Sequence, residues 1–165
     1  MYYFIFDLDE TLYQSCENDP EKIIDCINYS LLEKLKKIGK IILFSNANFI
    51  HCNKYLIQLG IKDLFSVIIT YDTFNIYKPN PLAYEKVIKT CGIKQTDEVF
   101  FFDDIPINLL SGYNKEWNTI LIKKNYTKNV NDRYIDNQFS NINNAINYIL
   151  LFLKDEIIYN KGNNK

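Results

Sequence analysis

Phe4-Ile5-Phe6-Asp7-Leu8-Asp9-Glu10-Thr11-Leu12 opens on an aromatic and β-branched run and turns abruptly into three acids and a threonine. Such a run reads as a strand buried on both faces. Carboxylates at its C-terminal end point toward the crevice where open α/β sheets bind ligands. If the strand ends between Asp7 and Asp9 the two acids become non-equivalent, so one can attack while the other handles protons. The same residues also suit a strand running into an acidic turn. The rest of the chain decides between these readings.

Asp19-Pro20-Glu21 reads as the N-cap, N1 proline and first-turn acid of a helix. Ile23, Ile24, Ile27, Leu31, Leu32, Leu35 and Ile38 follow at helical spacing, with Gly39 as the stop. A helix from Pro20 to Ile38 is expected, which leaves Leu12 to Asn18 as a loop over the sheet edge. Ile41-Ile42-Leu43-Phe44 is a second strand, ending in Ser45-Asn46. Strand, helix and strand in so short a span make a βαβ unit with a parallel sheet. Next come a helix over about Asn48 to Leu59 and a strand from Val67 to Thr70. Asn80 and Pro81 then start a helix that Gly92 stops. A fourth strand, Glu98 to Phe102, runs into Asp103-Asp104; a short helix near Pro106 to Asn114 leads to a fifth strand, Thr119 to Ile122. Ser140 is expected to cap a last helix, and residues 160–165 to fray as a disordered tail. The fold class is α/β: a Rossmann-like three-layer sandwich around a five-stranded parallel sheet, in one domain over residues 1–159.

Composition narrows the function classes. Hydrophobic content of 47% is a globular value, and a net charge of −1 provides no bulk basic field to recruit nucleic acid or an acidic membrane surface. Lys36, Lys37 and Lys40 suit the end of a helix better than a binding patch. Cys16, Cys26, Cys52 and Cys91 have neither C-x-x-C spacing nor histidine company, so no zinc site or disulfide framework is indicated, and reduced thiols in a cytoplasmic compartment are expected. The N-terminus does not read as a signal peptide. The longest apolar run, Ile149 to Leu153, is too short to span a bilayer.

Four strand ends then carry or adjoin reactive groups: Asp7/Asp9/Thr11, Ser45/Asn46, Lys78 and Asp103/Asp104. A parallel sheet brings those ends to one edge. Several carboxylates at one point repel unless a cation joins them, and oxygen ligands without thiolate or imidazole suit Mg²⁺. A serine hydroxyl, backbone N–H groups at a helix start and a lysine make an anion cradle. Metal, cradle and carboxylate nucleophile are the requirements of phosphoryl transfer through an aspartyl-phosphate.

These motifs resemble the haloacid dehalogenase (HAD) superfamily. They are D-x-D-x-T as Asp7 to Thr11, Ser45-Asn46, Lys78-Pro79, and Asp103-Asp104 with Asn108 four residues on. Order and spacing match over roughly residues 1 to 123. Within the superfamily, Phe6 to Tyr13, Phe44-Ser45-Asn46-Ala47 with His51, Leu59-Gly60-Ile61, Lys78-Pro79 and Phe101-Phe102-Asp103-Asp104 look most like the pyrimidine 5′-nucleotidase group. A response-regulator receiver domain uses similar groups, but its acidic pair comes first in the chain, whereas Asp103-Asp104 comes last here.

The resemblance implies a HAD-like core and a Mg²⁺-dependent phosphatase. Asp7 would be the nucleophile and a metal ligand. Asp9 would be the acid/base, with its backbone carbonyl on the metal. Ser45 and the N–H of Asn46 would hold the phosphoryl oxygens, and Lys78 would neutralise charge on Asp7 and the phosphoryl group. Asp104 would bind Mg²⁺ directly and Asp103 through water; Asn108 would close that shell, and Thr11 would orient the loop by hydrogen bonds. His51, placed about two turns into its helix, is expected to pack or hydrogen-bond rather than catalyse. Tyr13, Asn48 and Tyr77 are candidate substrate contacts.

The nucleotidase group carries a helical cap between the first two motifs. Here Asp7 and Ser45 are only 38 positions apart, and the expected helix fills most of that span, so a minimal cap or none is expected. The substrate is then a phosphorylated small molecule, with nucleotide 5′-monophosphates first, or alternatively a macromolecule such as a phosphoprotein or a nucleic-acid end. A non-catalytic binding or regulatory module is the remaining alternative. It has no need for Asp9.

Overall fold

The computed structural model describes residues 1–162, without the side chains of 20, 21 and 155–162. Strand β1 (Tyr2–Phe6) lies near the middle of a parallel sheet, between β4 (Gly39–Phe44) and β6 (Glu98–Asp103). Outside β4 lies β5 (Val67–Ile69); outside β6 lie β7 (Asn118–Ile122) and then β8 (Asn137–Phe139). Both faces of β1 are covered. Phe4 and Phe6 face one core, which also takes Leu32 and Leu35 of α1 (Tyr29–Lys36), Leu56 of α2 (Phe49–Gln58) and Ile146 of α6 (Ile142–Gly162). Tyr3 and Ile5 face the other, with Tyr84 and Val87 of α4 (Pro81–Cys91) and Leu109 of α5 (Pro106–Tyr113). This is the three-layer α/β sandwich the apolar runs require.

Register sets the site. Phe6 pairs with Leu43 on one side and Phe102 on the other, and Phe44 pairs with Ile69. The next residues, Asp7, Ser45 and Asp103, therefore lie along one edge of the sheet, Asp103 still paired with Leu121 of β7. Stacking of Phe6 on Phe102, 4.5 Å between centroids, packs the last step of the β1–β6 ladder.

The sheet has six strands, not five. Asn137-Gln138-Phe139 pairs with Ile120 to Ile122 as an edge strand; it is too short and too polar to leave an alternating pattern. The helix expected from Pro20 to Ile38 is also corrected. Residues 13–26 form an antiparallel hairpin, β2 (Tyr13–Cys16) with β3 (Asp19–Cys26), and only Tyr29–Lys36 is helical, capped by Asn28 through Ser30 N–H. In β3 the side chains alternate: Ile23 packs on the core and Ile24 faces out. Pairing with β2 overrides the local helix-start signal of Asp19-Pro20-Glu21.

Gly39 is the first residue of β4 rather than a helix stop. A Cβ there would lie 2.5 Å from the Tyr2 carbonyl oxygen, so the close approach of β4 to β1 requires glycine. Asn141, not Ser140, caps α6, accepting the Asn144 N–H at 3.0 Å. Residues 71–74, to which no element was assigned above, form a short helix, α3 (Tyr71–Phe74). The frayed tail expected over 160–165 starts inside α6, and its last three residues lie outside those described. Among the described residues no helix is long and apolar enough to cross a membrane.

Candidate active site

Asp7 continues the β1–β6 ladder by one bond, its N–H donating to Phe102 C=O at 2.9 Å, so its carboxylate emerges at the sheet edge while staying buried. Lys78 arrives from the segment before α4. Its Nζ lies 2.7 Å from Asp7 Oδ1 and 2.7 Å from Asp103 Oδ2. The ammonium also lies over the rings of Phe44 and Phe101, 5.1 and 5.6 Å from their centroids. Asn46 holds the Lys78 backbone from both sides, accepting its N–H at 2.7 Å and donating to its C=O at 3.0 Å. The side chain of Asn46 thus positions the lysine, a role its place in the motif did not suggest.

Asp103 is fully buried and accepts from Lys78, from Ile105 N–H and from the Asn108 amide at 3.0 and 3.2 Å. Asn108 therefore anchors Asp103. Each of Asp7, Asp103 and Asp104 offers a carboxylate oxygen within 4.8 Å of the others. Lys78 pairs with two of the three acids, and Lys123 adds a weaker attraction for Asp104. Burial, set against Lys78 and reinforced by Asp103 and Asp104, pushes the Asp7 carboxyl up to about 8; burial and then Asp103 push Asp104 up to about 7. Burial works against the charge on Lys78, but Asp103 and Asp7 outweigh it and hold the ammonium above its ordinary range. An all-oxygen cluster with surplus negative charge fits a hard divalent cation.

That surplus has a measurable consequence without metal. A carboxyl raised in the folded state favours folding below its ordinary pKa and loses that contribution as pH rises through the folded value. For Asp7 and Asp104 the loss falls between about pH 4 and 8. Asp97 and Asp132, held low by hydrogen bonds, titrate below that window. In a chelator the melting temperature is expected to fall from pH 5 to pH 8, with Mg²⁺ restoring it most at pH 8. Thermal unfolding across this range checks it, and a rise with pH in chelator would refute it.

Ser45 is buried at the end of β4, its N–H bonded to Ile69 C=O and its Oγ accepting the Ala47 N–H at 3.1 Å. It points its short side chain at the approach to α2. Two of that helix's first N–H groups are already used: Phe49 donates to Asp72 and His51 to its cap, Asn48. The cradle expected there is narrower than a free helix start, with Ser45, the Asn46 N–H and Lys78 as its remaining members.

Asp9 stands beyond buried Leu8, its side chain half-exposed. Its Oδ1 accepts the Tyr13 hydroxyl and lies 2.6 Å from His51 Nε2. With Asn48 as cap, His51 falls in the first turn of α2, not two turns in. A helix beginning at Asn48, as expected, already implies that turn; the contact with Asp9 does not follow from it. Burial and then the bond to Asp9 raise the Tyr13 phenol well above its ordinary range, so it remains a donor. Tyr13 is buried and stacked on Tyr55; Asn48 is exposed but its side-chain oxygen is occupied as a cap, and Tyr77 is exposed and stacked on Tyr71. Glu10, at φ 56°, bonds the Ser15 N–H at 3.1 Å and ties the hairpin base to the motif. Thr11 is a correction: its N–H donates to Leu8 C=O, but its buried hydroxyl makes no hydrogen bond among the described residues. A cleft of about 660 Å³ opens beside Asp104, between the hairpin (Gln14, Glu17) and Lys123 and Lys124.

A family model described as haloacid dehalogenase-like hydrolase matches residues 16–112. Among solved structures, a Thermotoga maritima protein assigned as a β-phosphoglucomutase superposes with a TM-score of 0.71 at 15% identity, covering 90% of this chain and 98% of that one. A protein assigned as a phosphoglycolate phosphatase from Haemophilus somnus gives 0.61 at 18%, over 73% and 54% of the two chains. The L-2-haloacid dehalogenase of Xanthobacter autotrophicus gives 0.60 at 15%, over 73% and 58%. The chain spans between 51% and 58% of the length of the dehalogenase structures it matches.

Proposed function

This chain belongs to the haloacid dehalogenase-like hydrolase family, and on that premise we propose that it is a phosphatase acting through an aspartyl-phosphate on Asp7. The observation that carries the reading is the pair Asp7 and Asp9. One is buried against Lys78; the other stands half-exposed two residues on, with one oxygen held by Tyr13 and His51. Substitution of a halide by a carboxylate needs no proton for the leaving group. An alkoxide leaving a phosphate ester does, and Asp9 can supply it.

Lys78 takes Asp7 Oδ1, leaving Oδ2 to attack phosphorus. As the P–O bond to the leaving group breaks, Asp9 gives that oxygen a proton. Asp9, now a carboxylate, takes a proton from water; the water oxygen attacks phosphorus, and the Asp7 carboxylate and phosphate separate. Ser45 and the Asn46 N–H orient the phosphoryl oxygens, and Lys78 offsets their charge. A divalent cation held by Asp7, Asp103 and Asp104, with the Asp9 carbonyl, would supply the charge that keeps Asp7 ionised near neutrality, and Mg²⁺ is the first candidate for this oxygen set.

Nucleotide 5′-monophosphates are the first candidate substrates, on the strength of the nucleotidase-like motifs. The hairpin β2–β3 stands where that group carries its cap, which favours an open site. Phe49 and Ile50, exposed in the same turn of α2 as His51, support a second reading, a macromolecular phosphoester whose own surface closes the mouth. The test is release of phosphate from nucleotides, sugar phosphates, an aryl phosphate and phosphopeptides, with Mg²⁺ or chelator. Turnover with Mg²⁺ is expected, lost in chelator and reduced about 10²–10⁴-fold in Asp9→Asn. No turnover on any class, with phosphate binding retained, would favour the non-catalytic alternative.

A further inference from the structure

A half-exposed aspartate on a turn has freedom to rotate, yet proton transfer requires one oxygen to face the leaving group. Among the described residues, Asp9 is constrained on one oxygen only. The Tyr13 hydroxyl reaches Oδ1 from the start of the hairpin, and His51 Nε2 reaches the same atom at 2.6 Å from the first turn of α2. Tyr55 underlies both donors, stacked on Tyr13 at 4.6 Å with 9° between planes and lying 4.8 Å from His51. The three rings lock one another, and two elements distant in sequence converge on one atom.

We propose that Tyr13 and His51 are positioning residues that occupy both lone pairs of Asp9 Oδ1, so that Oδ2 alone carries and transfers the proton. A carboxyl oxygen accepts two hydrogen bonds. With both sites filled, protonation at Oδ1 would have to displace a donor. The arrangement serves both half-reactions unchanged: Oδ1 is the carbonyl oxygen when Asp9 is an acid and a carboxylate oxygen when it is a base, and it accepts both bonds in either state. This fixes the histidine as the Nε2–H tautomer. The inference rests on the phosphatase reading above.

The test compares Tyr13→Phe, His51→Ala and His51→Gln on two esters, an alkyl phosphate and an aryl phosphate with an acidic phenol, by steady-state and rapid-quench kinetics. With the alkyl ester, kcat is expected to fall about 10–100-fold in Tyr13→Phe and His51→Ala, with little change in KM. His51→Gln, which keeps an amide donor, is expected to recover most of that loss. The acidic phenol leaves without a proton, so its first-turnover release is expected to stay near the parent rate. Hydrolysis of the phosphoenzyme still needs Asp9, so the variants are expected to show a burst of one phenolate per active site. A merely structural role would slow both esters alike and give no burst, and that result, or unchanged kinetics, would overturn the proposal. Tyr13→Phe keeps the ring that stacks on Tyr55, and its melting curve reports whether the fold is intact. A parent protein inert to both esters would instead overturn the phosphatase reading, and this inference with it.

Discussion

Asp7→Asn is expected to hydrolyse phosphate monoesters at least about 10⁴-fold more slowly than the parent while melting at a higher temperature at pH 8 without metal. The loss follows from chemistry: an amide oxygen is a poor nucleophile toward phosphorus, and Asp103, the other carboxylate against Lys78, is fully buried and held by Ile105 N–H and Asn108. The gain follows from electrostatics. Asn is nearly isosteric, and it removes one of three clustered acids, the one whose carboxyl is pushed up to about 8 by burial and its neighbours. A residue kept at a cost to stability is the usual mark of a site shaped for reaction rather than packing. Rate assays, thermal unfolding and mass spectrometry of acid-quenched protein give three readouts, the last expecting phosphate on the Asp7 peptide of the parent only. Near-parental turnover by the variant would sink the covalent route.

Lys78→Ala should show the opposite balance, with both quantities falling. Its ammonium is the partner of two buried carboxylates, and breaking a buried pair typically costs about 3–5 kcal/mol. For a chain of this size that corresponds to a drop in melting temperature on the order of 10 °C. The sign with pH follows from linkage. Without the lysine, Asp7 is raised further, so the penalty grows as pH rises and is small near pH 4. Activity should fall at least about 10²–10³-fold as charge stabilisation is lost. Lys78→Arg is not expected to rescue it, because the planar fork must replace a compact ammonium seated over Phe44 and Phe101. A variant that melts like the parent at pH 8 would contradict this account of the cluster.

The parts of the site legible in the sequence were those written in local signals. Apolar runs ended at Asp7, Ser45 and Asp103, and Asn80, Pro81 and Gly92 bounded α4 to the residue, with Gly92 at φ 67°. What stayed hidden depended on partners distant in sequence. The residues of β3 carry a helix-start signal and become a strand only because Gln14 and Tyr13 pair with Asp25 and Cys26. β8 is three half-buried residues whose identity as a strand lies in Ile120 to Ile122. The contact of His51 with Asp9, and the clamp of Asn46 on Lys78, span 42 and 32 residues and leave no trace in spacing.

Because Phe6, Leu43 and Phe102 lie level, the reacting groups are measured out by strand length. One residue inserted in β1 would advance Asp7 by about 3.3 Å and turn its side chain to the opposite face. β1, β4 and β6 should therefore be intolerant of any change in length, however conservative in composition. The hairpin tip and the segment from Lys123 to Asn125 border the cleft without setting that register. New substrate contacts can be grown there by insertion while the chemistry underneath keeps its dimensions, so a lineage built on this core can change what it acts on without relearning how.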